Sequence, residues 1–177
     1  MSKDNRDPAD VLSDSRAPDA VDAIQLAWQR ERPGTPAGSI GVITRIWRAG
    51  KLLGDDRRRT LTRLGVDAAT LDLLATLRRA GEPYRLTAGE IAGRALVSAG
   101  AISQRVARAE QAGLVRRDRS AVDRRLSYVT LTGHGHAVVE RVVDGLLGHE
   151  EDLLAVLTDE QRQTLAELLR ILLASLS

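Results

Sequence analysis

Eight arginines fall between Arg94 and Arg125, against only Glu110, Asp118 and Asp123, leaving a local excess of five positive charges. Planar guanidinium forks packed this closely suit phosphate oxygens and guanine edges, so the middle of the chain calls for an anionic partner. From Glu140 to Ser177 the sign inverts, with eight acids against Arg141, Arg162 and Arg170. The other group that could do chemistry is GHGH, with His134 and His136, joined by His149. An HxH pair can hold a metal, but no acidic third ligand stands at strand or helix spacing, so a solvated helix N-terminus is the reading and no metal site is expected. The chain has no cysteine, which excludes disulfides, thiolate zinc, iron–sulfur ligation and a cysteine nucleophile. There is no phosphate-binding glycine loop, no GxGxxG, no GxSxG and no nucleophile paired with a base, so neither catalysis nor a cofactor is expected.

Helices dominate the elements that must carry the basic cluster. Aromatics are 2 % of the chain, with no Phe, so the core must be built of Leu, Val, Ile and Ala. Residues 1–18 are rich in Asp, Ser and Pro without apolar periodicity and read as a disordered arm. One helix opens near Asp19, with Val21, Ile24 and Trp28 at helical spacing, and stops before Pro33. A longer one runs from Ser39 to about Leu64, with Ile40, Ile43, Trp47, Leu52 and Leu61 along a stripe, and a third spans Asp67 to Arg79. Thr87 with Glu90 forms a capping-box pattern that opens a short helix to about Leu96. Ser98 can cap the next, whose Ile102, Val106 and Ala109 share a face until Gly113 stops it. LVRR and RLSYVTL then alternate at period two around DRSAVDR, a hairpin. Thr132 and Thr158 open the last two helices.

Helix, turn, helix and hairpin, with the positive charge on the last two, make a winged helix-turn-helix whose second helix enters a major groove. Turning Ile102, Val106 and Ala109 inward directs Gly100, Ser103, Gln104, Ala107, Arg108 and Gln111 outward, with Ser98 at the start of the helix. Small residues there permit close approach, and the polar ones supply donors for bases and phosphates. Arg124 and Arg125, beside Asp123, fit the negative potential of a narrow minor groove. Arg105 lies only about 60° from Ile102 on the wheel, towards the protein. There it either forms a buried ion pair with a nearby acid or lines an anion pocket behind the helix.

The stretch LTAGEIAGRALVSAGAISQRVARAEQAGLVRRDRSAVDRRLSYVTLTGHG resembles the DNA-binding core of the MarR family of bacterial transcriptional regulators, above all in AEQAGLVRR, DRR and the LT that ends the wing. The flanking helices match that family's layout, so the resemblance covers nearly all of the chain after residue 18 and implies a dimer held by its terminal helices. The chain is further similar to the urate-responsive members, which carry an extra N-terminal helix with a Trp, an Asp on the helix before the helix-turn-helix, and two Arg. The matching positions are Trp28 in DAIQLAWQR, Asp72 in TLDLLATL, Arg105 in SQRVARAE and Arg117 at the end of GLVRR. Periodicity alone sets Asp72 nearer Thr76 and Arg79 than the Leu stripe. The resemblance implies a pocket in which a planar anionic purine pairs with Arg105, meets Trp28 and repels Asp72.

At 177 residues, 43 % hydrophobic and 28 % charged, the chain has the composition of a single folded domain. No apolar run reaches the roughly 18 residues of a membrane helix, and the N-terminus has no signal-peptide stretch, so a cytoplasmic protein is expected. The expected fold is mainly α with a small β-wing: an arm over 1–18, N-terminal helices of pocket and dimer interface over 19–64, the winged helix-turn-helix over 65–132, and dimerisation helices over 133–177. The expected partners are a palindromic double-stranded DNA operator, a second copy of the chain and a small anionic effector, urate or a related purine. The expected role is a repressor. Citrate or an aromatic acid as effector, and a ligand-independent DNA-binding or protein-interaction module, are the alternatives.

Overall fold

The computed structural model describes residues 17–95, 99–119 and 127–176. Seven helices and three strands run through them: α1 (Ala20–Glu31), α2 (Gly38–Arg63), α3 (Ala68–Arg79), β1 (Arg85–Thr87), α4 (Ala88–Ala95), α5 (Ala99–Gln111), β2 (Val115–Arg119), β3 (Ser127–Leu131), α6 (Gly133–Leu154) and α7 (Asp159–Leu176). Most of the arm assigned to 1–18 lies outside the described residues, as do Ser98, Asp123, Arg124 and Arg125. The chain divides into two compact units, residues 56–149 and residues 1–55 with 150–177.

Helix starts follow side-chain chemistry. Asp67 accepts from the Thr70 N–H at 2.9 Å and its hydroxyl at 2.8 Å, capping α3. At α4 the box closes both ways, since Glu90 accepts from the Thr87 N–H at 2.8 Å while the Glu90 N–H reaches the Thr87 hydroxyl at 3.3 Å. Thr158 and Gln161 form the same reciprocal pair at α7. Helix α5 stops where Gly113 takes φ +68, letting the Leu114 N–H return to the Ala109 carbonyl at 2.9 Å.

In the 56–149 unit, Leu73, Leu74 and Leu77 of α3, Ile91 of α4, Ile102 and Val106 of α5, and Val139 and Val142 of α6 are almost wholly excluded from water. The sheet covers this core with Leu86, Val115, Val129 and Leu131. Its order is β1-β3-β2, all antiparallel, with Arg116 opposite Thr130 and Arg117 opposite Val129. The hairpin expected from LVRR and RLSYVTL is β2 and β3; β1 is a third strand that the sequence reading lacked. Three residues cannot display a period of two, and β1 runs directly into the capping box of α4.

The other unit is different in kind. Among the described residues, every exposed large apolar side chain except Leu147 belongs to it, Trp47 and Ile171 being about 70 % accessible. Helix α7 buries no residue at all. The apolar stripe expected along α2 is present, but Trp47 and Leu52 on it face water in the single chain.

A junction at Thr132 joins the turn after α5 to the start of α6. The Thr132 N–H donates to the Leu114 carbonyl at 3.1 Å, its hydroxyl reaches the Gly113 carbonyl at 2.7 Å, and the Gly135 N–H donates to that hydroxyl at 2.9 Å. A Cβ on Gly135 would collide with the Leu114 carbonyl, whereas Gly133 has open space. Gly135→Ala should therefore lower stability by about 1–3 kcal/mol, the usual cost of overpacking, and Gly133→Ala should leave it level or raised. Thermal melts of the two variants check this, and equal melting would contradict the close approach.

Candidate nucleic-acid interface and effector site

Helix α5 turns one face inward, with Ile102, Val106 and Ala109 at 2 % exposure or less. Gly100, Ser103, Gln104, Arg108 and Gln111 are exposed on the other side, and Ala107 is half-buried among them. This is the arrangement derived from spacing, and it presents donors and acceptors on a helix of the width a major groove admits.

The charged flanks of α5 have partners inside the protein. On the side of α3, Arg105 Nη1 stands 3.9 Å from Asp72 Oδ2, the guanidinium 20 % exposed and the carboxylate 56 %. On the side of β2, Glu110 Oε2 pairs with Arg117 Nε at 3.2 Å, while Glu110 Oε1 accepts from the Arg117 backbone N–H at 3.3 Å. Arg117 Nη2 also approaches the Ser103 carbonyl at 3.5 Å. Burial works to raise the Asp67 carboxyl, but the Thr70 N–H and hydroxyl, the Ala69 N–H and the charge of Arg108 outweigh it and hold it below the usual range.

Of the four residues assigned to an effector, Asp72 and Arg105 are thus brought together, and Arg117 is engaged by Glu110. Trp28 lies on α1, in the other unit, 46 % exposed. Glu110 went unrecognised as a partner because it counted only as one acid in a basic stretch. Its place seven residues before Arg117, across the Gly113 turn, was the available signal.

Beside Asp72 runs a groove of about 340 Å³ between α2, α3 and α6. Leu71, Ala75, Val139, Val143 and Leu146 make an apolar wall, and Arg57, Arg78 and Arg79 stand around it. Arg78 also pairs with Glu140 at 3.2 Å. An apolar slot with a few charged groups at its edge is the common form of a small-molecule site. No spacing pattern announces it, because its walls come from three helices. Among the described residues no three His, Asp or Glu side chains converge as metal ligands, and no helix is long and apolar enough to cross a membrane.

Residues 64–126 match the MarR family model. The HTH-type transcriptional regulator PecS of Dickeya dadantii is 32 % identical over 149 residues, covering 84 % of this chain and 90 % of PecS. The chain belongs to the MarR family. Among solved structures, Sco3205 of Streptomyces coelicolor, a MarR family transcriptional regulator crystallised in complex with DNA, is 31 % identical with a TM-score of 0.62, over 76 % of this chain and 90 % of that one. YusO of Bacillus subtilis is 27 % identical with a TM-score of 0.60, over 76 % and 96 %. This MarR-family chain is accordingly a DNA-binding transcriptional regulator built on a winged helix-turn-helix.

One guanidinium ties the start of the helix that carries Trp28 to α2, beside the buried Val21. Arg45 Nη2 of α2 meets Asp19 at 2.9 Å and Asp22 at 2.8 Å. The Asp22 N–H, the Val21 N–H and Arg45 hold the Asp19 carboxyl low against a smaller opposing effect of burial. For Asp22 the Arg45 hydrogen bond leads, followed by the Asp19 N–H. Carboxyls with lowered folded-state values stabilise above the unfolded value of about 3.9 and lose that contribution as pH falls through the folded values beneath it. Amide hydrogen exchange over residues 20–31 should therefore quicken only below the ordinary aspartate range, and in Arg45→Ala it should begin nearer that range. Unchanged onset in the variant would show that Arg45 does not hold the helix.

Proposed function

We propose that this regulator acts in the cytoplasm as a homodimeric repressor that binds a palindromic operator and is released from it by a small anionic effector, urate or a related purine. The observation that carries the dimer is α7, whose Leu-rich length buries nothing in a single chain. A second copy paired through residues 19–64 and 133–177 would cover it, leaving residues 65–132 to meet DNA. A two-fold dimer sets two recognition helices on half-sites about 10 bp apart, which makes the operator an imperfect palindrome.

The switch is supported by the Asp72 and Arg105 pair. An anion that pairs with Arg105 repels the Asp72 carboxylate, and Arg105 sits on α5, so the exchange acts on the helix that meets DNA. Trp28 supplies an aromatic or indole N–H contact to a planar ligand, and Arg117 a second cation once it leaves Glu110. Effector and operator then oppose each other reciprocally. A second reading has a specific observation behind it: the apolar groove with Arg57 and Arg79 near Asp72 suits an aromatic carboxylate better than a polar purine.

Light scattering at micromolar concentration should give twice the 19.2 kDa chain mass; a monomer would contradict the dimer. Operator affinity should fall steeply with salt, weaken in Arg108→Ala and weaken further when Arg124 and Arg125 are both replaced by Ala. Urate should release the parent complex, act more weakly on Trp28→Ala and Asp72→Asn, and fail on Arg105→Ala. Release by salicylate in place of urate, lost in an Arg57 and Arg79 double Ala variant and kept in Trp28→Ala, would transfer the effector to the groove. Release by neither, or undiminished release without Arg105, would end the switch.

A further inference from the structure

We infer that the two glutamines of α5, Gln104 and Gln111, determine which bases this regulator reads, and that each selects an adenine. The assignment depends on α5 entering a major groove, as proposed above, and adds the chemistry of the base readout. With Ile102, Val106 and Ala109 pointing inward, the outermost positions of the helix are Gly100, Gln104 and Gln111, with the half-buried Ala107 beside them. Both flanks are committed elsewhere. Arg105 turns to Asp72, and Glu110 to Arg117, whose own guanidinium also reaches back to the Ser103 carbonyl. Arg108 lies off the midline on the same side as Arg105, where its charge is felt by Asp67.

Gln104 and Gln111 are exposed, and among the described residues neither amide has a hydrogen-bond partner. Gly100 and Ala107 beside them have little or no side chain to hold the backbone away from the groove floor. An amide presents a donor and an acceptor side by side, which matches adenine N7 and N6 and does not match the two acceptors of guanine. Seven residues of helix span about 10 Å, or roughly three base-pair steps if the helix follows the groove. Each half-site should therefore carry adenines about three base pairs apart on the strands that the two glutamines face. A bidentate pair discriminates by roughly 5- to 150-fold against a wrong base. Phosphate contacts from Arg108 add affinity without sequence preference.

The test is selection of duplexes from a randomised library by the full chain, followed by binding measurements on the selected sites. The parent should enrich adenine at both positions. Gln104→Ala should lose preference at one of them and Gln111→Ala at the other, each with melting temperature and salt slope unchanged, and Gln104→Arg should shift its position towards guanine. Arg108→Ala should weaken all sites alike. Enrichment of guanine by the parent, or Ala variants that select the same sites as the parent, would overturn the assignment while leaving the operator reading intact. A parent that binds duplexes without any sequence preference would overturn both.

Discussion

The Leu114 carbonyl is the point on which the unit of residues 56–149 is assembled. It accepts from Thr132, which also caps α6 through Gly135, and the chain at Gly135 comes so close that no side chain fits between. The turn after α5, the end of the sheet and the start of the long α6 are thereby fixed to one another. Hydrogen bonds of this kind contribute only about 1 kcal/mol each to stability, but they are short and directional, and they leave three elements one arrangement. Ile102, Val106, Val115 and Val129 of the same elements are buried in the core of this unit, while the junction itself stays partly open to water.

Electrostatics on α5 is organised around that fixed end. Among the described residues the arginines of the basic stretch divide into those held by acids and those left outward. Arg105 and Arg117 are held, by Asp72 and by Glu110. Their pairing lowers the positive charge presented around the helix, so the outward charge is smaller than the local excess suggests. Arg116 is similarly occupied by Asp118, which also accepts from Thr130 across the sheet.

Periodicity and capping chemistry made the helices legible: Asp19, Asp67, Thr87, Thr132 and Thr158 each stand where the structure begins a helix. The inward face of α5 was legible for the same reason. Strand β1 was not, because its three residues pair with β3, forty positions along the chain, and only that long-range partner makes them a strand. The groove beside Asp72 was illegible on the same principle, being a property of three helices at once. The stripe through Trp47 and Leu52 was legible, but not its exposure in the single chain, since a stripe looks identical in sequence whether its cover is the same chain or another molecule.

The unequal exposure of Asp72 and Arg105 has an evolutionary consequence. The arginine is largely enclosed, so replacing it by a smaller residue removes packing as well as charge. The aspartate is more than half in water, and an ion pair open to solvent on one side contributes at most about 1 kcal/mol. Position 72 is thus nearly free to drift, while position 105 is bound to the fold. Related chains could change the charge beside α5 through the acid alone, with the packing of that helix unaltered.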